Sequence, residues 1–195
     1  MGLPRLRGAG LLLIMKQTTQ LRCACGQTHL EVQGAPIISA ECHCNSCRTA
    51  GGRVQSLPSA PPVLEPNGGT RFILYRKDRV RFLEGAHLLK AFRLEPKSPT
   101  RRVIAACCNT PIFLEFQNGH WLSLYGCLWP AGTLPRLELR TMTSDLPADR
   151  ARALPDDVPN SKTQSVSFFV KLLGAWIAMG FRSPKITVVS GEIQV

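Results

Sequence analysis

Three thiols fall within six residues at Cys42-His43-Cys44-Asn45-Ser46-Cys47, and a second pair lies upstream in Cys23-Ala24-Cys25-Gly26. A third group, Cys107-Cys108, stands near the middle of the chain. Alternate residues of an extended strand point to opposite faces, so Cys-x-Cys side chains converge only where a turn redirects them. A turn gripping a soft cation gives a reason for such a bend. The expected cation is zinc, which accepts thiolate sulfur and imposes no geometry of its own.

The Cys42/Cys44/Cys47 triple carries the most chemistry. Three thiolates on a divalent ion leave a net negative charge, so the metal is a feeble Lewis acid and a poor activator of water. A fourth position open to an incoming thiol suits the set better, because a zinc-bound thiol sheds its proton near neutral pH and stays nucleophilic. Arg48 follows the last cysteine and is a candidate to offset the negative charge, although an ordinary surface arginine reads the same way. His43, between two ligands, is expected to point away. Cys23 and Cys25 with Cys107 and Cys108 would instead supply four sulfurs, a closed tetrahedron with no room for substrate. Adjacent cysteines diverge in an extended chain, so either the backbone kinks at Cys107 or only Cys108 ligates. Cys127 stands apart and reads as a small buried apolar residue.

The elements that must position these thiols are mostly strands. Thr28–Val32 alternates, and Thr70–Tyr75, Val80–Leu83, Leu88–Leu94, Arg101–Ala106, Pro111–Phe116 and His120–Tyr125 are rich in β-formers. Asn67-Gly68-Gly69, Pro96 to Pro99 and Asn118-Gly119 separate them as turns. Short strands at this spacing predict a mainly β, antiparallel domain over 17–143. Residues 144–164, rich in Pro and Asp, read as a linker. Ser165–Phe181 is apolar but for Lys171 and reads as an amphipathic helix docking on the domain or a partner, with membrane contact through 165–181 as the alternative. Residues 1–16 read as a disordered or artefactual extension, with Met15 as an alternative start.

Bulk composition narrows the classes. The chain has 195 residues, 44% hydrophobic and 19% charged, which suits a globular domain with its own core. Eight clustered cysteines are too few and too close for a disulfide scaffold, so reduced thiolates on metal in a cytoplasmic setting are expected. The net charge of +11 favours anionic partners. No aromatic-interleaved basic stripe argues for nucleic acid, and Arg71, Arg76, Lys77, Arg79 and Arg81 read as a solvated hairpin edge guarded by charge. No phosphate loop or dinucleotide fingerprint occurs.

Leu21-Arg22-Cys23-Ala24-Cys25-Gly26 and Glu41-Cys42-His43-Cys44-Asn45-Ser46-Cys47-Arg48, running on to Gly51-Gly52, resemble the glutathione-dependent formaldehyde-activating enzyme family, which also includes centromere protein V. Cys108-Asn109-Thr110 resembles that family's final Cys-Gly-Thr, but Ala105 stands where the family carries its preceding cysteine. The resemblance spans roughly 21–125 and marks a divergent member. It implies a β-tent fold with two zinc sites. Cys23, Cys25 and Cys108, with Cys107, would hold structural zinc, and Cys42, Cys44 and Cys47 an exchangeable zinc beside substrate. It further implies carbon–sulfur lyase-type chemistry on adducts such as S-hydroxymethylglutathione, with glutathione as co-substrate. The rival expectations are a non-catalytic zinc-stabilised module for a protein, nucleic-acid or membrane partner, and a thiol redox switch.

Overall fold

The computed structural model describes residues 17–195; the extension expected over 1–16 lies outside them. In chain order the elements are β1 (Thr18–Arg22), β2 (His29–Gln33), β3 (Ile38–Cys42), α1 (Asn45–Gln55), β4 (Thr70–Arg76), β5 (Val80–Glu84), β6 (Leu89–Phe92), β7 (Thr100–Ala105), β8 (Thr110–Phe116), β9 (Trp121–Tyr125), β10 (Leu139–Thr141), α2 (Ala148–Arg152) and α3 (Val166–Ile177). The strands expected from alternation occur where predicted, to within two residues at either end. They form a three-stranded sheet, β1-β2-β5, and a seven-stranded sheet, β10-β3-β4-β9-β8-β7-β6. Every strand pairing is antiparallel except β10 on β3, where the chain passes from β9 beyond β4 and β3 to the sheet edge.

Strand β4 explains the layering. Six of its seven residues are buried, as expected for a strand covered on both faces. Ile73 and Tyr75 enter a core shared with Leu21, Leu30 and Val32 of the small sheet. Phe72 and Leu74 enter a second core with α1 and with Phe168 and Leu172 of α3. The domain is therefore small sheet, large sheet, helices, with a separate apolar core in each interval.

Helix α1 interrupts a stretch expected to be strand-like. Its buried residues, Cys47, Ala50, Gly51 and Val54, follow the i, i+3, i+4, i+7 rule. The stripe escapes a sequence reading because it is built from small residues. The close approach requires them: a Cβ on Gly51 would stand 2.4 Å from Leu64 Cδ2. Helix α3 starts where Ser165 Oγ accepts from Phe168 N at 3.2 Å. It docks through Phe168 and Leu172 and leaves Val166, Phe169, Val170, Leu173 and Ile177 exposed. Among the described residues no helix is long and apolar enough to cross a membrane.

The basic patch is corrected. β4 and β5 belong to different sheets and form no hairpin; a 3-10 turn at Lys77–Arg79 carries the chain between layers. Arg71 and Lys77 are buried, Arg71 donating to the Pro135 carbonyl at 2.7 Å and Lys77 pairing with Glu115 at 2.5 Å. Only Arg81 of the five is freely exposed. Residues between β10 and α3 lie along the domain: Arg140 N donates to Pro159 O and Ser161 N to Arg140 O, both at 2.9 Å, while Leu146 and Leu154 are buried. After α3 the chain crosses to edge strand β6, where Ala91 N donates to Gly191 O and Ile193 N to Ala91 O. That cover occupies an edge otherwise open to other chains.

Candidate functional site

The four-sulfur set forms where two turns meet. After β1 the chain reverses through Cys23–Gly26, with Gly26 N on Cys23 O at 2.9 Å and Gly26 at φ +75°, a conformation glycine adopts without strain. Thr28 N donates to Cys23 Sγ at 3.3 Å. The β7–β8 turn bends at Cys107-Cys108, Cys108 N closing on Ala105 O and Asn109 adopting φ +54°. Of the two sequence alternatives, the kink is the one seen. Cys23, Cys25, Cys107 and Cys108 all offer sulfurs within 4.8 Å of one another. The closer separations are 3.4 Å (Cys25–Cys107), 3.6 Å (Cys23–Cys25), 3.8 Å (Cys23–Cys107) and 3.9 Å (Cys107–Cys108). Four sulfurs bonded tetrahedrally at ~2.3 Å to zinc stand roughly 3.8 Å apart. The donor set fits such an ion.

The triple lies on the other face of the large sheet. Cys42 ends β3, Cys44 is the N-cap of α1 and Cys47 sits in its first turn, with all three sulfurs within 4.8 Å of one another. Cys44 Sγ accepts from Cys47 N at 3.3 Å, as a capping side chain does, so the helix N-terminus faces a thiolate. Hydrogen bonds from the Cys42 and Cys47 thiols outweigh burial, and with Cys47 N–H and nearby Arg102 they lower Cys44 to about 3. The hydrogen bond to Cys44 pushes Cys42 up to about 11, and buried Cys47 is raised as well. In the four-sulfur set burial pushes Cys108 up, but hydrogen bonds from Thr110 and Cys25 overcome it and bring the thiol down to about 6. Each cluster thus carries one thiolate stabilised by its neighbours, the condition a cation exploits.

His43 turns away from the triple. Its ring is fully buried and its Nε2 meets Glu41 Oε1 at 2.8 Å, while Asn67 Nδ2 and Arg140 Nε reach the same oxygen at 2.7 and 3.1 Å. Burial alone would raise the Glu41 carboxyl; hydrogen bonds from His43 and Asn67 and the charge of Arg140 hold it below its ordinary value. The network fixes the end of β3 from which Cys42 projects. Arg48 Nη1 donates to the Asp145 carbonyl at 3.3 Å. The cation beside Cys44 is Arg102, on the face of β7 turned toward α1 and only 1% exposed; its Nη2 donates to Ser46 Oγ at 2.8 Å and Ser46 O at 3.3 Å. Sequence reasoning missed Arg102, although the signal existed: in Arg101-Arg102-Val103-Ile104 strand alternation puts Arg102 and Ile104 on one face. Cys127 is half-buried, and burial pushes its thiol up to about 12.

The triple opens on a cavity of about 450 Å³ between the large sheet and α3. Phe72, Leu74 and Leu114 form its floor, Trp121 a wall, and Phe168 and Leu172 its roof. The sequence model of the glutathione-dependent formaldehyde-activating enzyme family matches residues 18–62, the stretch holding five of these seven thiols and the whole of α1. Over that stretch the chain resembles that family. A crystal structure of a Rhodobacter sphaeroides protein is similar at 15% identity and a TM-score of 0.43, over 73% of this chain and 99% of that one. No curated protein matches it. The matching family is described as one of glutathione-dependent enzymes, and the two cysteine groups of this chain are arranged as metal ligands would be.

Proposed function

We propose that this chain binds two zinc ions and that the Cys42/Cys44/Cys47 site receives the sulfur of a small thiol, glutathione or a close analogue, to make or break the carbon–sulfur bond of its aldehyde adducts. One observation carries the reading: three sulfurs, one short of a tetrahedral shell, border an open cavity. Zinc there would hold an incoming thiol as its nucleophilic anion. The four-sulfur set is complete without substrate and would clamp the small sheet to the β7–β8 turn, a structural role.

In the forward direction the thiol sulfur forms a bond to the carbonyl carbon, the C=O electron pair moves to oxygen, and oxygen takes the proton the thiol gave up. No electrons enter or leave. The chain's own contribution is positional and electrostatic. Helix α1 directs its N-terminus at Cys44, buried Arg102 offsets the negative charge of three thiolates, and the apolar walls keep water from the reacting carbon. The overall charge of +11 suits a tripeptide with two carboxylates.

The test is metal content with and without glutathione. Two zincs per chain are expected, one of them shifted or exchanged by the tripeptide, and Cys44→Ser should abolish thiol affinity while leaving the circular dichroism spectrum intact. One ion that no thiol perturbs would refute the reading. A non-catalytic binding module is favoured by one feature, the exposed apolar side of α3. It would hold if Cys44→Ser left ligand binding unchanged while Val170→Ser and Leu173→Ser abolished partner capture.

A further inference from the structure

The cavity beside the triple is larger and less polar than a one-carbon adduct requires. It measures about 450 Å³, inside the ~300–1,000 Å³ range of small-molecule sites, and an adduct of formaldehyde adds only a hydroxymethyl group. At about 30 Å³ for each water-sized group, the added hydroxymethyl fills a small fraction of it. The lining contains no Lys, Arg, His, Asp or Glu among the described residues. Its polar side chains, apart from the cysteines, are Ser123, Thr141 and Gln164. Glutathione's charged arms gain nothing from such walls, because burying an unpaired charge costs far more than contact returns. They belong at the mouth, in water. What the chamber suits is an apolar group attached to the reacting carbon.

Gln164 adds a second observation. The residue lines this wall, and its Oε1 is buried without a hydrogen-bond partner. A buried amide oxygen without a donor is costly, and a turn of the side chain toward the cavity would let a ligand hydroxyl satisfy it. Addition of a thiol to an aldehyde creates one hydroxyl, on the carbon bonded to sulfur.

We infer that the carbonyl partner at this site is a medium-chain or aryl aldehyde rather than formaldehyde, its apolar tail lying under Phe168 and Leu172 and its adduct hydroxyl facing Gln164. The inference rests on the thiol reading of the triple and specifies its second substrate class. The bond changes are those already written, with the longer substituent a spectator.

Stable thioethers test it without turnover. Zinc-loaded full-length chain is titrated by calorimetry with S-methylglutathione, S-octylglutathione, free glutathione and 1-octanol. S-octylglutathione should bind at least tenfold tighter than S-methylglutathione, since each buried methylene contributes favourably. Phe169→Ala, at the exposed lip of the roof, should cut that preference severalfold, and Val170→Ser, on the outward side of α3, should leave it unchanged. Equal affinity for the two thioethers, with free glutathione still bound, overturns the inference and spares the thiol reading. Binding of 1-octanol as tightly as S-octylglutathione, with no binding of free glutathione, overturns both.

Discussion

Arg102→Met separates metal retention from folding. The guanidinium is buried, and two of its nitrogens, Nε and Nη1, have no hydrogen-bond partner. An unsatisfied buried donor costs about 1–3 kcal/mol, whereas the charge-assisted bond from Nη2 to Ser46 Oγ returns about 1.5–3 kcal/mol. Methionine fills a similar volume with no polar atoms. By these figures the metal-free protein should lie between about 1 kcal/mol less stable and about 4.5 kcal/mol more stable. The metal-loaded protein differs, because three thiolates on a divalent ion need a cation nearby. A unit charge pair is worth about 4 kcal/mol at 4 Å in an effective dielectric of 20, and half that at twice the distance. Arg102 contacts Ser46, one residue from Cys47, so the larger separation applies and about 2 kcal/mol is at stake. That is roughly a 30-fold loss of retention at ~1.4 kcal/mol per decade. The assay is zinc release to a chromophoric chelator, read as two phases. The fast phase should accelerate by about that factor, the slow phase from Cys23, Cys25, Cys107 and Cys108 should not move, and Arg102→Lys should restore some of the difference. Unchanged phases, or equal acceleration of both, refute the assignment of Arg102 to the triple.

Other elements make independent predictions. Glu115 holds buried Lys77 at 2.5 Å and Arg101 at 2.6 Å. Glu115→Leu should cost about 3–5 kcal/mol and lower the melting temperature by roughly 6–20 °C, with Lys77→Met restoring much of it in the double variant. His120 is held neutral, its folded pKa lowered by burial and by Lys77 and Arg76 despite its bond to Leu172 O at 2.9 Å. A lowered histidine pKa means the unfolded chain binds the extra proton first. This contribution to stability is therefore present above about pH 6.5 and is lost as pH falls toward the folded pKa. Because His120 stacks on Trp176 at 5.7 Å, tryptophan fluorescence should report α3 loosening on acidification, and His120→Gln should flatten the titration. Gly85 sits at φ +66°, where a Cβ would stand 2.1 Å from Gln27 O, so Gly85→Ala should cost more than about 2 kcal/mol in thermal denaturation. Gly174, in α3 with open space around it, should accept alanine with a gain of up to about 1 kcal/mol.

The strands and both thiol sets were legible because each rests on a local signal: alternation for Thr28–Val32, a run of β-formers for Thr70–Tyr75, spacing for Cys42, Cys44 and Cys47. Four features were not. Helix α1 hid because its inward stripe is Cys, Ala, Gly and Val, small enough for the helix to sit close to the sheet. The hairpin expected from Arg71 to Arg81 failed because charge density says nothing about which sheet a strand joins. β4 lies mid-sheet, where Arg71 and Lys77 are buried against partners more than thirty residues distant in sequence. Arg102 was passed over for Arg48 because nearness in sequence stood in for nearness in space. The roof of the cavity depends on α3 folding back over β9, a long-range contact that no local pattern encodes.

The layering gives the two thiol sets different freedom. Cys23 and Cys108 lie in the core between the sheets, and their set ties β1 to the β7–β8 turn, so releasing its ion would let the layers separate. Cys47 and its partners lie in the other core, where β3 and α1 are joined directly in the chain and need no metal to stay together. Opening the triple should disturb little beyond the first turn of α1. The large sheet, buried on both faces at β4, stands between them. On the proposed reading one set would exchange its fourth ligand while the other held the layers in register, and chelation should proceed in that order: loss from the triple with near-native circular dichroism, then cooperative unfolding as the four-sulfur ion leaves. Simultaneous loss of both ions, with unfolding at the first equivalent removed, would show that the sheet couples the two sets.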